Sequence, residues 1–143
     1  MIDSNTLIII PVFNGESFLN NCFANLNSQS YKNLDIIFID NNSSDKSFSL
    51  IKKYCARKKN VRLLTCEIQG PSATRNVGLR AAKGEYLTFL DVDDEILPNK
   101  FHYLLKAFKK LDADKKIKVI ILEGAGKGFS AGHNLKEVRG LKK

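Results

Sequence analysis

Thr6-Leu7-Ile8-Ile9-Ile10-Pro11-Val12 is an unbroken apolar run, largely β-branched, with no polar residue at alternate positions after Thr6. A strand with one face in water alternates apolar and polar side chains; one that does not must be covered on both faces. Leu34 to Ile39 repeats the pattern with Asp35 as its single interruption, and ends in Asp40 and the turn-forming Asn41-Asn42-Ser43-Ser44-Asp45. Between the two runs Phe18, Leu19, Cys22, Phe23 and Leu26 fall at helical spacing, and Phe48, Ile51, Tyr54 and Cys55 do so after the second. Val61 to Leu64 reads as a third strand and Tyr86 to Leu90 as a fourth. Gly70-Pro71-Ser72 breaks the chain before a helix that runs through Ala82. Pro98 opens a helix with the stripe Phe101, Leu104, Leu105, Phe108 and Leu111, and Ile117 to Leu122 reads as a fifth strand.

Strands alternating with helices define an α/β, Rossmann-like, three-layer fold with a mainly parallel sheet of about five strands. At 143 residues the chain has room for one such core, so residues 1–143 are expected to form a single domain. No apolar run approaches the roughly 18 to 20 residues of a membrane span. Met1 to Asn5 has no basic stretch and carries an acid, which argues against a secretory signal. Cys22, Cys55 and Cys66 are spaced like neither a zinc site nor a disulfide framework, and are read as reduced thiols of a cytoplasmic protein.

The net charge of +8 is unevenly placed. Residues 1–97 hold eleven Lys and Arg against eleven Asp and Glu, whereas residues 98–143 hold twelve against four. The excess therefore belongs to a basic extension, whose lysines from Lys106 to Lys118 are read as a solvated face, and nucleic acid is not expected as a partner because no aromatic residues interleave with those lysines beyond the segment's start.

Ligands of parallel α/β sheets collect beyond the carboxyl ends of the strands. Three of these ends are polar: Pro11-Val12-Phe13-Asn14, Asp40-Asn41-Asn42-Ser43 and Asp91-Val92-Asp93-Asp94. An ionised Asp40 can only accept, which suits a ribose hydroxyl or a base N–H. Asp91 and Asp93, two apart, project to one side if the backbone is extended, and two carboxylates facing one way suit a hard divalent cation bridging phosphate oxygens. Arg75 or Arg80 could neutralise a diphosphate. Each feature also has a plain structural reading: an Asx turn at Asp40, a turn and helix cap at Asp91 to Asp94, a solvated Arg75. The agreement of three strand ends favours a site.

These residues carry a resemblance. Ile8 to Glu16, Ile39 to Asp45, Gly70 to Gly78 and Phe89 to Asp94, in that order and spacing, resemble family 2 glycosyltransferases over about residues 6–101. The resemblance implies the GT-A fold, in truncated form, and a nucleotide-sugar donor, with UDP-sugar the expected class. It assigns donor binding to Pro11, Phe13, Asn14, Asp40 (at the base), Asn42, Arg75 and Asp91. It assigns the metal, Mg²⁺ or Mn²⁺, to Asp93 with Asp91. The acceptor pocket and the acid that deprotonates the acceptor in inverting transfer lie later in members of that family and find no counterpart here, so no catalytic residue is assigned and the acceptor is unknown. The alternative is a non-catalytic remnant that binds a nucleotide or self-associates through an open sheet edge.

Residues 105–138 resemble another family. Phe108 to Asp114 and Ile117 to Glu137 are similar to the early part of an enoyl-CoA hydratase (crotonase), in which the residue at His133 lends a backbone N–H to an oxyanion hole. Asn134 stands where an Asp is usual, the second donor and the later acids are missing, and no CoA chemistry is expected. Glu123 carries little weight as a base. The chain therefore reads as chimeric: a glycosyltransferase-like part, 1–101, and a crotonase-like extension, 102–143, whose helix and strand could continue the sheet through a right-handed crossover.

Overall fold

A computed structural model describes residues 6–116. Its elements run β1 (Thr6–Val12), α1 (Glu16–Asn27), β2 (Leu34–Asp40), α2 (Ser47–Cys55), β3 (Val61–Thr65), α3 (Pro71–Arg80), β4 (Tyr86–Phe89) and α4 (Lys100–Asp112). The strands pair in the order β3-β2-β1-β4, every pair parallel. The fold is thus the Rossmann-like α/β sheet expected, with four strands among the described residues rather than about five. The fifth strand, at Ile117 to Leu122, lies outside them, as do Glu123, His133 and Asn134. One compact unit extends to Lys109; α4 crosses into a second at Lys110, of which residues 110–116 are described.

The apolar run of β1 behaves as its pattern requires. Leu7, Ile8, Ile9 and Ile10 are fully buried because their side chains alternate between two helical layers. Ile8, Ile10, Ile36 and Phe38 pack with Leu19 and Cys22 of α1, Ile51 of α2, and Phe101 and Leu105 of α4. Leu7, Ile9, Ile37 and Ile39 face the other way, against Ala73 and Val77 of α3. Phe38, Phe23 and Tyr54 lock the first layer together; the rings of Phe23 and Tyr54 stack with centroids 4.1 Å apart, and Phe38 meets Phe23 edge-on at 5.7 Å. The three cysteines are free. Burial, and then the charge of Asp94, pushes the Cys22 thiol up to about 12, so Cys22 serves as a packing group.

The chain moves from β1 to β2 to β3 in one direction, then returns past β1 to place β4 on its other side. The order therefore reverses between β1 and β4, the position at which such sheets open a crevice. Pairing of these two strands ends at Ile9 with Phe89, and Leu90 adds a last N–H to the Ile9 carbonyl at 3.1 Å. Pro11 has the same parity as Ile9, so the N–H it lacks would have faced the β4 side, beyond the point where the ladder needs a donor. On the β2 side pairing continues to Val12 with Asp40.

α3 lies close on the sheet because of Gly78. A β-carbon built there would stand 2.5 Å from Ile9 Cγ2 and 3.1 Å from Ile39 Cδ1, both in the buried layer. Gly78→Val is expected to lower the unfolding free energy by about 2–3 kcal/mol through overpacking, as measured by urea denaturation. Unchanged stability would show that α3 can lift from the sheet freely.

Candidate functional site

An open cleft of about 510 Å³ occupies the gap left where β1 runs past β4. It is lined by Pro11 and Val12 of β1 with Phe13 just beyond, by Asn41, by Gln69 and Gly70 with Pro71, Thr74 and Arg75 of α3, and by Asp91 to Asp93 beyond β4. Five of the residues singled out from sequence, Pro11, Phe13, Arg75, Asp91 and Asp93, meet here. Asp40, Asn14 and Asn42 are not among the lining residues.

Asp40 is buried one strand away, level with Val12. Its Oδ2 accepts from the Ser43 N–H at 3.2 Å, which is the Asx turn of the plain structural reading. Its Oδ1 is buried with no hydrogen-bond partner. An acceptor left in that state costs free energy and marks a place where a donor would be welcome.

Asn14 and Asn42 take up structural work. Both have positive φ, 48° and 58°, in the left-handed region that Asn tolerates better than most residues. Asn14 Oδ1 accepts from the Ser44 N–H at 2.8 Å while its own N–H donates to Ser43 Oγ at 3.0 Å. Asn42 Nδ2 donates to the Glu67 carbonyl at 3.0 Å. Asp45 completes this lattice: it accepts the first N–H of α1, from Glu16 at 3.0 Å, and the first N–H of α2, from Ser47 at 2.9 Å. Two helices thereby share one cap, and the loops after β1 and β2 are fixed to each other.

Asn41, passed over in the sequence as part of a turn, holds the far wall. Its Nδ2 donates to the carbonyls of Cys66 and Ile68, each at 2.8 Å, and its Oδ1 accepts from the Gly70 N–H at 2.8 Å. Gly70 has φ 128°, which admits glycine alone at low cost, and sets Pro71 at the first turn of α3. Sequence alone carries no signal that separates Asn41 from its neighbours, since the backbone groups it satisfies lie 25 to 29 residues away.

Asp91 and Asp93 do not lie on extended backbone. The Asp94 N–H donates to the Asp91 carbonyl at 3.1 Å, and Asp94 Oδ2 accepts the Asp91 N–H at 3.1 Å, so Asp91 to Asp94 form a closed turn. Both carboxylates still reach the cleft. Asp91 Oδ1 accepts from Arg75 Nη2 at 2.7 Å, a short charge-assisted bond, and the guanidinium stands 5.9 Å from the Phe89 ring. No group of three or more His, Cys, Asp or Glu among the described residues is placed to hold a metal ion. The donor set fits a hard cation only where a ligand adds oxygens to the two carboxylates, as the oxygens of a diphosphate would for Mg²⁺ or Mn²⁺.

Parallel strands, helices on both faces and an acidic turn at the reversal point of the sheet define a GT-A-like α/β domain. A family model, glycosyl transferase family 2, matches residues 7–134, and the chain belongs to that family. The match runs on past the acidic turn through residue 134, so it takes in most of residues 105–138, and these comparisons give no support to a separate crotonase-like segment there. An uncharacterised glycosyltransferase of Haemophilus influenzae is 46% identical over 94 residues, covering 65% of this chain and 38% of that protein. The crystal structure of Staphylococcus aureus TarS superposes with a TM-score of 0.70 at 25% identity, over 76% of this chain and 33% of TarS. TarS has also been solved in complex with UDP and with UDP-GlcNAc. A mannosyltransferase from Pyrobaculum calidifontis, in complex with GDP-Man and Mn²⁺, shares the fold with a TM-score of 0.64 at 23% identity, over 80% of this chain and 34% of that one. The chain thus spans well under half the length of these relatives. Among the described residues no helix is long and apolar enough to cross a membrane.

The shared cap has a measurable consequence. Burial opposes the charge of Asp45, and the hydrogen bonds from the Ser47 side chain and from the Glu16 and Ser47 N–H groups outweigh it, holding the carboxyl below its ordinary range. Stability from such a group is in place above about pH 4 and is lost as pH falls through the folded value. Asp45→Ala should lower stability at pH 7 by the ~0.5–2 kcal/mol of a lost helix cap, read from urea midpoints. The gap from wild type should narrow as pH falls below the ordinary aspartate range and on through the lowered folded value; a gap independent of pH would contradict the shared cap.

Proposed function

We propose that the cleft between β1 and β4 binds a nucleoside diphosphate sugar, with a UDP-sugar as the expected donor, and that this part of the chain serves sugar transfer to an acceptor. The observation that carries the reading is the meeting of Arg75, Asp91 and Asp93 at the reversal point of a parallel sheet. The UDP, UDP-GlcNAc and GDP-Man complexes of the structural neighbours support it.

In this reading the base lies toward β2. The unpartnered Asp40 Oδ1 is the acceptor for a base N–H, and the exposed ring of Phe13 offers an apolar face in the cleft. Pro11, with no N–H to satisfy, lets the strand edge approach the ligand. Asp91 receives a ribose hydroxyl, and Asp93 would hold Mg²⁺ or Mn²⁺ together with oxygens of the diphosphate. When bound, the ion supplies positive charge that offsets the negative charge of a departing diphosphate. Asn14 and Asn42 contribute by fixing the loops that frame Asp40.

Titration calorimetry of UDP into the protein should show binding that requires Mn²⁺ and weakens at least about tenfold in Asp93→Ala, a loss of about 1.4 kcal/mol. No binding at millimolar UDP, or binding indifferent to both Mn²⁺ and Asp93, would overturn the reading.

A further inference from the structure

Asp91 and Asp93 are two residues apart in one turn, yet their surroundings differ. Asp91 is held at three points: its N–H by Asp94 Oδ2 at 3.1 Å, its carbonyl by the Asp94 N–H at 3.1 Å, and its Oδ1 by Arg75 Nη2 at 2.7 Å. Asp93 has no hydrogen-bond or ion-pair partner among the described residues. Arg75 comes from a different element, the middle of α3, which the Gly70-Pro71 break and the close approach at Gly78 hold against the sheet.

The charges decide what this means for a cation. Two free carboxylates would present two negative charges to a divalent ion. With the guanidinium on Asp91, the three groups together carry one. Asp91 keeps Oδ2 and accepts from neutral donors, but its value as a cation ligand is reduced. The ion pair is itself accessible, with side-chain exposures of 34% for Arg75 and 52% for Asp91, so an arriving polyanion can compete for the guanidinium.

We propose that Arg75 is a positioning residue that acts through Asp91. It reserves Asp91 for a neutral donor and leaves Asp93 as the one carboxylate of the turn free for a cation, so that the cation is held only when a diphosphate arrives with it. The inference rests on the nucleotide-binding reading above and assigns the order in which the site fills.

The test is Mn²⁺ alone, followed by the electron paramagnetic resonance signal of the free ion, with UDP added in a second arm. UDP with Mn²⁺ on the wild-type protein tests the parent reading: if nothing binds there, that reading fails whatever the first arm shows. For Mn²⁺ alone, wild type should bind weakly and Arg75→Met about tenfold more tightly, about 1.4 kcal/mol, while Arg75→Lys, which restores a cation, should return toward wild type. In an Asp91→Asn background the gain from Arg75→Met should fall to threefold or less, because the liberated carboxylate is gone and only a screened change of charge remains. Thermal melting by circular dichroism confirms that each variant is folded. An Arg75→Met protein that binds Mn²⁺ alone no better than wild type would overturn the proposal. So would a gain of undiminished size beside Asp91→Asn, or a wild-type protein that binds Mn²⁺ as tightly without UDP as with it.

Discussion

β1 pairs along seven residues with β2 but along only four with β4, and the site exists because of that difference. A parallel sheet covered on both faces has no room for a ligand within it, and its only free polar ground is the rim. When β4 stops at Phe89, the last residues of β1 lose their neighbour on one side while still held on the other. Pro11 stands at this point, and the chain after Leu90 must turn away, which it does through the closed Asp91–Asp94 turn. The acidic turn and the apolar end of β1 thus face each other across a gap that the ladder cannot close.

The rim is built by backbone satisfaction more than by charge. Asn41 ties the segment after β3 to the end of β2, Asp45 shares itself between the first N–H groups of two helices, and Asn14 and Asn42 use left-handed backbone to bring their loops within reach. These contacts hold Val12, Asn41 and Gly70 in fixed relation around the cleft. Against this frame the unpartnered oxygen of Asp40 and the free carboxylate of Asp93 stand out as polar groups the protein does not itself satisfy.

Much of this was legible before any coordinates. The unbroken runs at Thr6–Val12 and Leu34–Asp40 could only be strands buried on two faces, and the stripes through Leu19, Ile51 and Phe101 could only be helices packed on them. Polar strand ends named the rim. What pattern alone could not give was which polar residues turn inward to the chain and which outward to a ligand. Asn14, Asn41 and Asn42 look alike in sequence, and their roles depend on backbone groups some 25 to 30 residues away. The Asp91–Asp94 turn stands in the sequence only as the plain alternative to extended backbone, because Asp94, which closes it on the Asp91 N–H, reads equally well as a third acid of the motif. The extent of the family likeness was also hidden, because the basic composition beyond residue 97 reads as a boundary while the family match passes through it to residue 134.

Amide nuclear magnetic resonance with UDP, first with Mg²⁺ and then with a trace of Mn²⁺, tests the central claim most directly. A site at the β1–β4 gap predicts shifts at Val12, Phe13, Asn41 and Gly70, and paramagnetic broadening that centres on Asp93 and reaches Arg75. Broadening that spares Asp91 to Asp94 and gathers instead along the lysines of α4 would contradict the account.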